Sequence, residues 1–400
     1  MLKNIFMWIL TNVFKVQTET TQKEVADNQA YASNYEDIQN INFNAIFSNK
    51  LANYTINDSD INIEGENVRA DLINKTAQSM WKKMKKITSM ALGYGGVLVV
   101  PYVKTGKIYY SLVPQNRMAI NKMEGDIIVS ATILAEKRTI STQSSNLVYL
   151  RWTDYTIENG NLIITQEFTD ENEHKIAVPA FWKNIQQKQV ITGVDRVLFG
   201  YIKSPINNRK SNDKYGVPIT YGCESTIKEI KETLLQIAEE YDLKRCFVGV
   251  DVAMFNGENK LPTNGLFKKL DTNKDEFFEV FDPAFRETAL FARLQELYQR
   301  LEKQIGTSKG ILSEVETQNA TATEIKRAMY DTFVIVDDMR ALIEKGLEDF
   351  FYSCNVLANA YNLSAQGEYS VNYNWSYGLI EDPAQEFSQL MQGYNAGVIE

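Results

Sequence analysis

Reactive side chains are scarce in this chain. Its 400 residues hold three cysteines, Cys223, Cys246 and Cys354, and one histidine, His174. An odd cysteine count without a CxxC pair argues against a disulfide framework and suits a reducing compartment. The histidine sits in the polar run Glu171-Asn172-Glu173-His174-Lys175. Ser/His/Asp or Cys/His catalysis would therefore rest on one residue in an expected turn. A zinc site would have to gather widely separated ligands. No catalytic set, no metal and no cofactor is expected.

Positive charge is also in short supply. Lys and Arg number 42 against 51 Asp and Glu, a net charge of −9. Such a chain gains little from counterion release on nucleic acid, so tight, sequence-reading DNA binding is a poor fit. DNA that slides past without sticking remains compatible with it. Long apolar runs are missing too. Ile5-Phe6-Met7-Trp8-Ile9-Leu10, preceded by Lys3, falls well short of the roughly 20 residues a bilayer requires. It runs into Lys15-Val16-Gln17-Thr18-Glu19 without a small-residue cleavage site, so it reads as a helix docking on the protein's own body or a neighbour. No membrane partner is expected.

What is present is enough for a sizeable core. Hydrophobic residues make up 44% and charged residues 23%, which allows two or three folded modules. Residues 67–92 read as a helix, with Val68, Leu72, Ile73, Met80, Met84, Ile87 and Met90 at three- and four-residue spacings. Its Lys82, Lys83, Lys85 and Lys86 read as a solvated face rather than a phosphate patch. Gly93-Tyr94-Gly95-Gly96 then leads into Val97-Leu98-Val99-Val100-Pro101-Tyr102. A phosphate loop follows a strand and opens a helix; here the order is reversed, so the glycines read as a helix stop and turn. Strands are predicted at 108–113, 127–134, 147–152, 162–168 and 197–202, giving an α+β module that ends near residue 215.

The second half is helical in character. Residues 224–245 carry the stripe Ile227, Ile230, Leu234, Ile237 and Tyr241. A small β-rich insert follows, 247–255 and 277–280, with Asn256-Gly257 as a hairpin signal. Asp282 and Pro283 predict the start of another helix, whose stripe is Leu290, Leu294, Leu297, Leu301 and Ile305, and Gly306 stops it. After a polar connector, Thr321-Ala322-Thr323-Glu324 is a capping box for the longest helix. Its stripe runs from Ile325 through Met329, Phe333, Val336, Met339, Ile343, Leu347, Phe350 and Cys354 to Leu357. About 40 residues would span roughly 60 Å, and Gly346 is a candidate kink.

Two amphipathic helices bracketing a β insert, then a loop, then a very long helix, resemble the tailed-phage portal proteins, in the branch from phages of Gram-positive bacteria. Local matches are Tyr215-Gly216-Val217-Pro218 ahead of Tyr241-Asp242, Val280-Phe281-Asp282-Pro283-Ala284-Phe285-Arg286-Glu287, and Ala320-Thr321-Ala322-Thr323-Glu324-Ile325. Lys203-Ser204-Pro205-Ile206-Asn207-Asn208 and Gly95-Gly96-Val97-Leu98-Val99 fit as well. The likeness covers about residues 40–385. Each match is a short structural signal; their order carries the resemblance.

The resemblance implies a portal fold and a ring, typically of twelve subunits, at one capsid vertex of the virion, assembled in the bacterial cytoplasm. After an N-terminal segment (1–35) come a mixed α/β wing (36–215), a first stem helix (216–245), a clip (246–282) and a second stem helix (283–305). A tunnel-loop region (306–320), the long wing helix (321–361) and the start of a helical crown (362–400) follow. The clip, with Phe255, Asn256, Glu258, Lys260, Phe267, Lys268 and Lys269, would dock the terminase large subunit and later the head–tail adaptor. Thr307, Ser308, Lys309, Ser313, Glu314, Glu316, Gln318 and Asn319 would line the passage for double-stranded DNA, which moves through without sequence readout. Major capsid and scaffolding proteins are further implied partners.

The resemblance makes the chain a structural protein and not an enzyme. Another virion component remains open, since it would share the acidic balance without requiring the helix–insert–helix order. So does an enzyme, since 51 carboxylates cannot exclude acid–base chemistry. Asp337 and Asp338 are helix neighbours about 100° apart, however, and suit no shared site. Glu324 is better explained by capping.

Overall fold

The computed structural model describes residues 41–141, 146–172, 174–208, 214–243, 247–251, 267–270, 278–281, 286–314 and 328–376. The fold is α+β and divides into two compact units. One is built mainly from Asn42–Tyr221 and Gln318–Glu400, the other from Gly222–Thr317.

In the first unit, α1 (Phe43–Ile56) opens with Asn42 capping the amide of Ala45 at 3.0 Å. After β1 (Asp60–Glu64), Asn67 caps α2 (Val68–Trp81) in the same way, and α3 (Met84–Tyr94) follows. The single helix expected over 67–92 is thus two. Gln78 Nε2 donates to the Ile61 carbonyl and Trp81 Nε1 to that of Ser59, which fixes the end of α2 against β1. The chain turns at Lys82-Lys83 while the apolar stripe continues through Ile73, Ala77, Met80, Met84 and Ile87, all fully buried. Periodicity alone cannot show a turn that keeps the same face inward. The four lysines around it are exposed.

Gly95, with φ +83°, ends α3. Two antiparallel sheets follow. β3 (Lys107–Pro114), β2 (Gly96–Lys104) and β9 (Gly200–Lys203) form one, in the order β3-β2-β9. β4 (Met118–Glu124), β5 (Ile127–Ser141), β6 (Asn146–Glu158), β7 (Asn161–Asp170) and β8 (Lys188–Thr192) form the other, a meander in chain order. Their shared core includes Leu98, Ile120, Ala131, Ile133, Leu162 and Phe199.

The second unit begins with α4 (Glu224–Leu243). The insert has three strands, β10 (Phe247–Asp251), β11 (Phe267–Leu270) and β12 (Phe278–Phe281), in the order β11-β10-β12. β11 runs parallel to β10 and β12 antiparallel. Of the two runs read from the sequence, 247–255 and 277–280, the described parts pair antiparallel as β10 and β12, and β11 is a third strand that the sequence reading did not include. The turn signal at Asn256-Gly257 lies outside the described residues. α5 (Glu287–Ile305) closes the insert. Asp282 and Pro283 lie outside the described residues, as does the capping box at 321–324.

The long helix α6 (Tyr330–Ala360), back in the first unit, has 31 residues. Gly346 does not break it. A Cβ on Gly346 would stand 2.6 Å from Ile202 Cγ1, and one on Gly200 would stand 2.2 Å from the Gly346 carbonyl oxygen. The two glycines let α6 lie directly on β9, so close approach explains Gly346. Beyond α6, of the region expected to begin the crown (362–400), only residues 362–376 are described. Ser370–Asn374 form β13, antiparallel to β1 with Ile61 opposite Tyr373. The alternation Val371, Tyr373 suits a strand.

Candidate functional site

The family-like motifs scattered through the first 220 residues come together at one node. Ser204 N–H donates to the Gly95 carbonyl at 3.0 Å, and Ile219 N–H to that of Leu92 at 2.9 Å. Tyr215 is buried, its hydroxyl accepting from Ile120 N–H at 2.7 Å, and Asn208 Nδ2 donates to the Tyr215 carbonyl at 2.9 Å. Gln115 Nε2 donates to the Gly216 carbonyl at 2.9 Å while its Oε1 accepts from the Tyr201 hydroxyl. Every one of these groups serves main chain or its neighbours. The node fixes where the chain leaves the first unit, and it is not a phosphate cradle.

Among the described residues of the first unit, those singled out by the sequence assemble no catalytic constellation; Glu324 lies outside the described residues. His174 is exposed and its Nδ1 lies 3.2 Å from Asp170 Oδ2 across a turn. Asp337 and Asp338 are exposed, and Asp337 pairs with Arg340 at 3.7 Å. A hollow of about 690 Å³ includes Asp126, Arg196, Lys345 and Asp349 in its walls. Its carboxylates are engaged by Lys345 (2.8 Å) and Arg196 (2.9 Å) respectively. The hydrogen bond from Lys345 holds the Asp126 carboxyl below the usual range, whereas burial pushes Asp349 up. Among the described residues no group of three or more His, Cys, Asp or Glu could hold a metal ion. No described helix is long and apolar enough to cross a membrane.

The second unit holds the more distinctive arrangement. Glu229 on α4 faces Arg293 (4.0 Å) and Arg300 (3.6 Å) on α5, while Glu240 accepts from Arg286 Nε at 2.8 Å. Early residues of one helix meet late residues of the other, so the two run antiparallel. Ile230 and Ile237 from α4 are buried, as are Leu290, Leu294, Leu297, Leu301 and Ile305 from α5. Phe291 (39%) and Tyr241 (52%) are left exposed on a pair this slender.

At the end of α5 the connector folds back. Gly306 takes φ +88°, and its N–H and that of Thr307 reach the Glu302 carbonyl at 3.0 and 2.9 Å, the usual closure for a helix C-terminus. The Glu302 side chain, fully buried, turns the other way. Its Oε1 accepts from the N–H groups of Gly310 (3.2 Å), Ile311 (2.8 Å), Leu312 (2.7 Å) and Ser313 (3.1 Å). Its Oε2 accepts from Ser313 Oγ at 2.6 Å. Gly310, with φ +105°, supplies the backbone that lets consecutive N–H groups converge, a nest of the kind that holds anions. Glu314 N–H donates to Gln295 Oε1 at 3.0 Å, tying the connector back along α5.

The channel candidates divide accordingly. Thr307, Ser308 and Ser313 are buried by this turn, whereas Lys309 and Glu314 are exposed. Glu316, Gln318 and Asn319 lie outside the described residues, as do Phe255, Asn256, Glu258 and Lys260. Phe267, Lys268 and Lys269 lie on β11, parallel to β10. Glu302 itself was not among the residues the sequence pointed to. One signal was available: an acidic residue in the last turn of a helix opposes the macrodipole, and so calls for other donors.

No family model and no curated protein matches the chain. Among solved structures, a chain of the virion of the native gene transfer agent (GTA) particle aligns with TM-score 0.43 at 10% identity. That alignment covers 94% of this chain and 89% of the other. A chain of the neck of the native GTA particle, computed with C12 symmetry, aligns with TM-score 0.42 at 11% identity over 88% of this chain and 85% of the other. At those TM-scores the likeness carries no argument about fold or function.

Proposed function

We infer that the chain is a subunit of a phage-type portal ring, a virion component through which double-stranded DNA is packaged and later ejected. The observation that carries this reading is the order of elements. An antiparallel helix pair brackets a small three-stranded sheet, and a folded-back connector leads to a single helix of 31 residues. The portal resemblance implies that order, and neither an enzyme nor a generic interaction module requires it. In this reading α4 and α5 are stem helices, β10–β12 the clip that meets the packaging motor and then the neck, and the connector the channel constriction. The first unit is the wing. The chemistry is steric and electrostatic: a ring of acidic subunits gives DNA phosphates little to adhere to, so DNA moves without being trapped.

The test is native mass spectrometry of the purified protein together with negative-stain imaging. Expected are rings of about twelve subunits of 45.7 kDa around a central hole. A small closed oligomer without a channel, formed with the full chain and its scaffold present, would overturn the reading.

A further inference from the structure

We propose that Glu302 is an internal anion that sets the shape of the connector and thereby presents Lys309. The nest made by the N–H groups of residues 310–313 is the kind of site that takes a phosphate or carboxylate from solution. Here the occupant is covalently attached, one helical turn before the loop begins. The sequence distances are short, 8 to 11 residues, so the bonds close a compact loop on the end of α5 and tie it to nothing remote. Between the two anchoring points, the helix cap at 306–307 and the nest at 310–313, the chain has only Ser308 and Lys309 to place. Ser308 is buried and Lys309 is exposed. Lys309 is also the one cation in residues 306–320. The carboxylate therefore determines where the connector's positive charge stands, although it touches no ligand itself. Glu302 is a positioning residue.

That Lys309 is held toward passing DNA rests on the portal reading of the preceding section; the latch itself does not. Hydrogen exchange on the full chain reads the latch whether or not rings form. In Glu302→Ala the amides of 310–313 should exchange faster by about ten-fold or more, with α6 and the β5–β6 pair unchanged. Sodium formate, compared with sodium chloride at equal ionic strength, should restore protection by filling the vacated nest. Ser313→Ala removes the bond to Oε2 and the one that Ser313 Oγ accepts from Gly310 N–H at 3.3 Å, but keeps the carboxylate in the nest, and should give a smaller acceleration at the same amides. It serves if the alanine variant at 302 fails to fold. Unchanged protection at 310–313, or acceleration spread evenly along α4 and α5 with no formate response, would overturn the latch.

In rings that do assemble, DNA retention should fall in Lys309→Gln, with connector exchange unchanged, and in Glu302→Ala, with it raised. Rings of Glu302→Ala that open the connector yet hold DNA like the parent would remove the purpose assigned to Lys309 and leave the latch standing.

Discussion

Each of the two units contains a fully buried charge whose hydrogen-bonding partners are neutral, and the two charges are used differently. In the first unit it is Arg69. Its Nε donates to Ser364 Oγ at 2.8 Å, Nη1 to the Asn355 carbonyl at 3.1 Å and to Asn355 Oδ1, and Nη2 to Asn359 Oδ1 and the Ser364 carbonyl, both at 2.8 Å. In the second unit it is Glu302, accepting from main chain 8 to 11 residues ahead. Arg69 joins segments 286 to 295 residues apart. One charge welds the start of the unit to its end; the other shapes a local loop. A buried charge without an opposite partner is costly unless its donors or acceptors are all met. Both sites meet them, so the difference lies in how far along the chain the consequences reach.

The weld is reinforced around it. Asn67 Nδ2 donates to the Glu368 carbonyl at 2.6 Å, and Arg340 sends Nε to the Thr55 carbonyl (3.2 Å) and Nη2 to that of Ser376 (2.6 Å). Trp375 Nε1 donates to Glu344 Oε1 at 2.6 Å. Arg69→Ala should therefore be the most damaging single change. It strands the acceptors on Asn355, Asn359 and Ser364 and should cost the whole first unit roughly 3 to 5 kcal/mol. Urea unfolding checks it. A loss under about 1 kcal/mol would mean that the pairing of β1 with β13 holds the C-terminal segment unaided.

A second large effect sharpens the contrast between packing and polar ties. Gly200→Ala puts a methyl group 2.2 Å from the Gly346 carbonyl oxygen, so α6 must lift from β9. A cost of about 2 to 3 kcal/mol is expected, read as a lower thermal midpoint with the connector amides 310–313 unaffected. Parallel loss of protection in both units would show that they unfold as one.

These contacts differ in how visible they are in the sequence. The helices of the second unit were legible because Leu290, Leu294, Leu297, Leu301 and Ile305 recur on one face, and that face is buried. Strands β3, β5, β6, β7 and β9 were located, though with shifted ends. β4 was missed because Met118-Ala119-Ile120 gives way to polar residues without clean alternation, and β8 because Lys188–Thr192 is five residues long. The break at Lys82-Lys83 was hidden by a stripe that continues through it. The β1–β13 pairing and the Arg69 contacts depend on residues about 300 apart, beyond any local rule. At the candidate site the polar connector was legible, but its organiser was not. Glu302 lies among helix charges of ordinary appearance, and only the folded-back loop shows what it binds.

The smallest expected effect separates the second unit's surface ties from its buried latch. Arg286 donates to Glu240 and holds that carboxyl below its usual range. A carboxyl depressed in the folded state contributes stability that is present above its unfolded value of about 4.3 and is lost as pH falls through the folded value. Arg286→Gln should accordingly lower the unfolding midpoint slightly at neutral pH. The gap to the parent should close as the solution is acidified below about pH 4. The pair is solvent-exposed on the arginine side, so added salt should narrow the same gap at neutral pH. A gap that persisted at acid pH and in high salt would assign the contact to packing of the Arg286 stem and not to charge. The second unit's helix pair would then depend on its apolar stripe, with Glu302 acting on the connector alone.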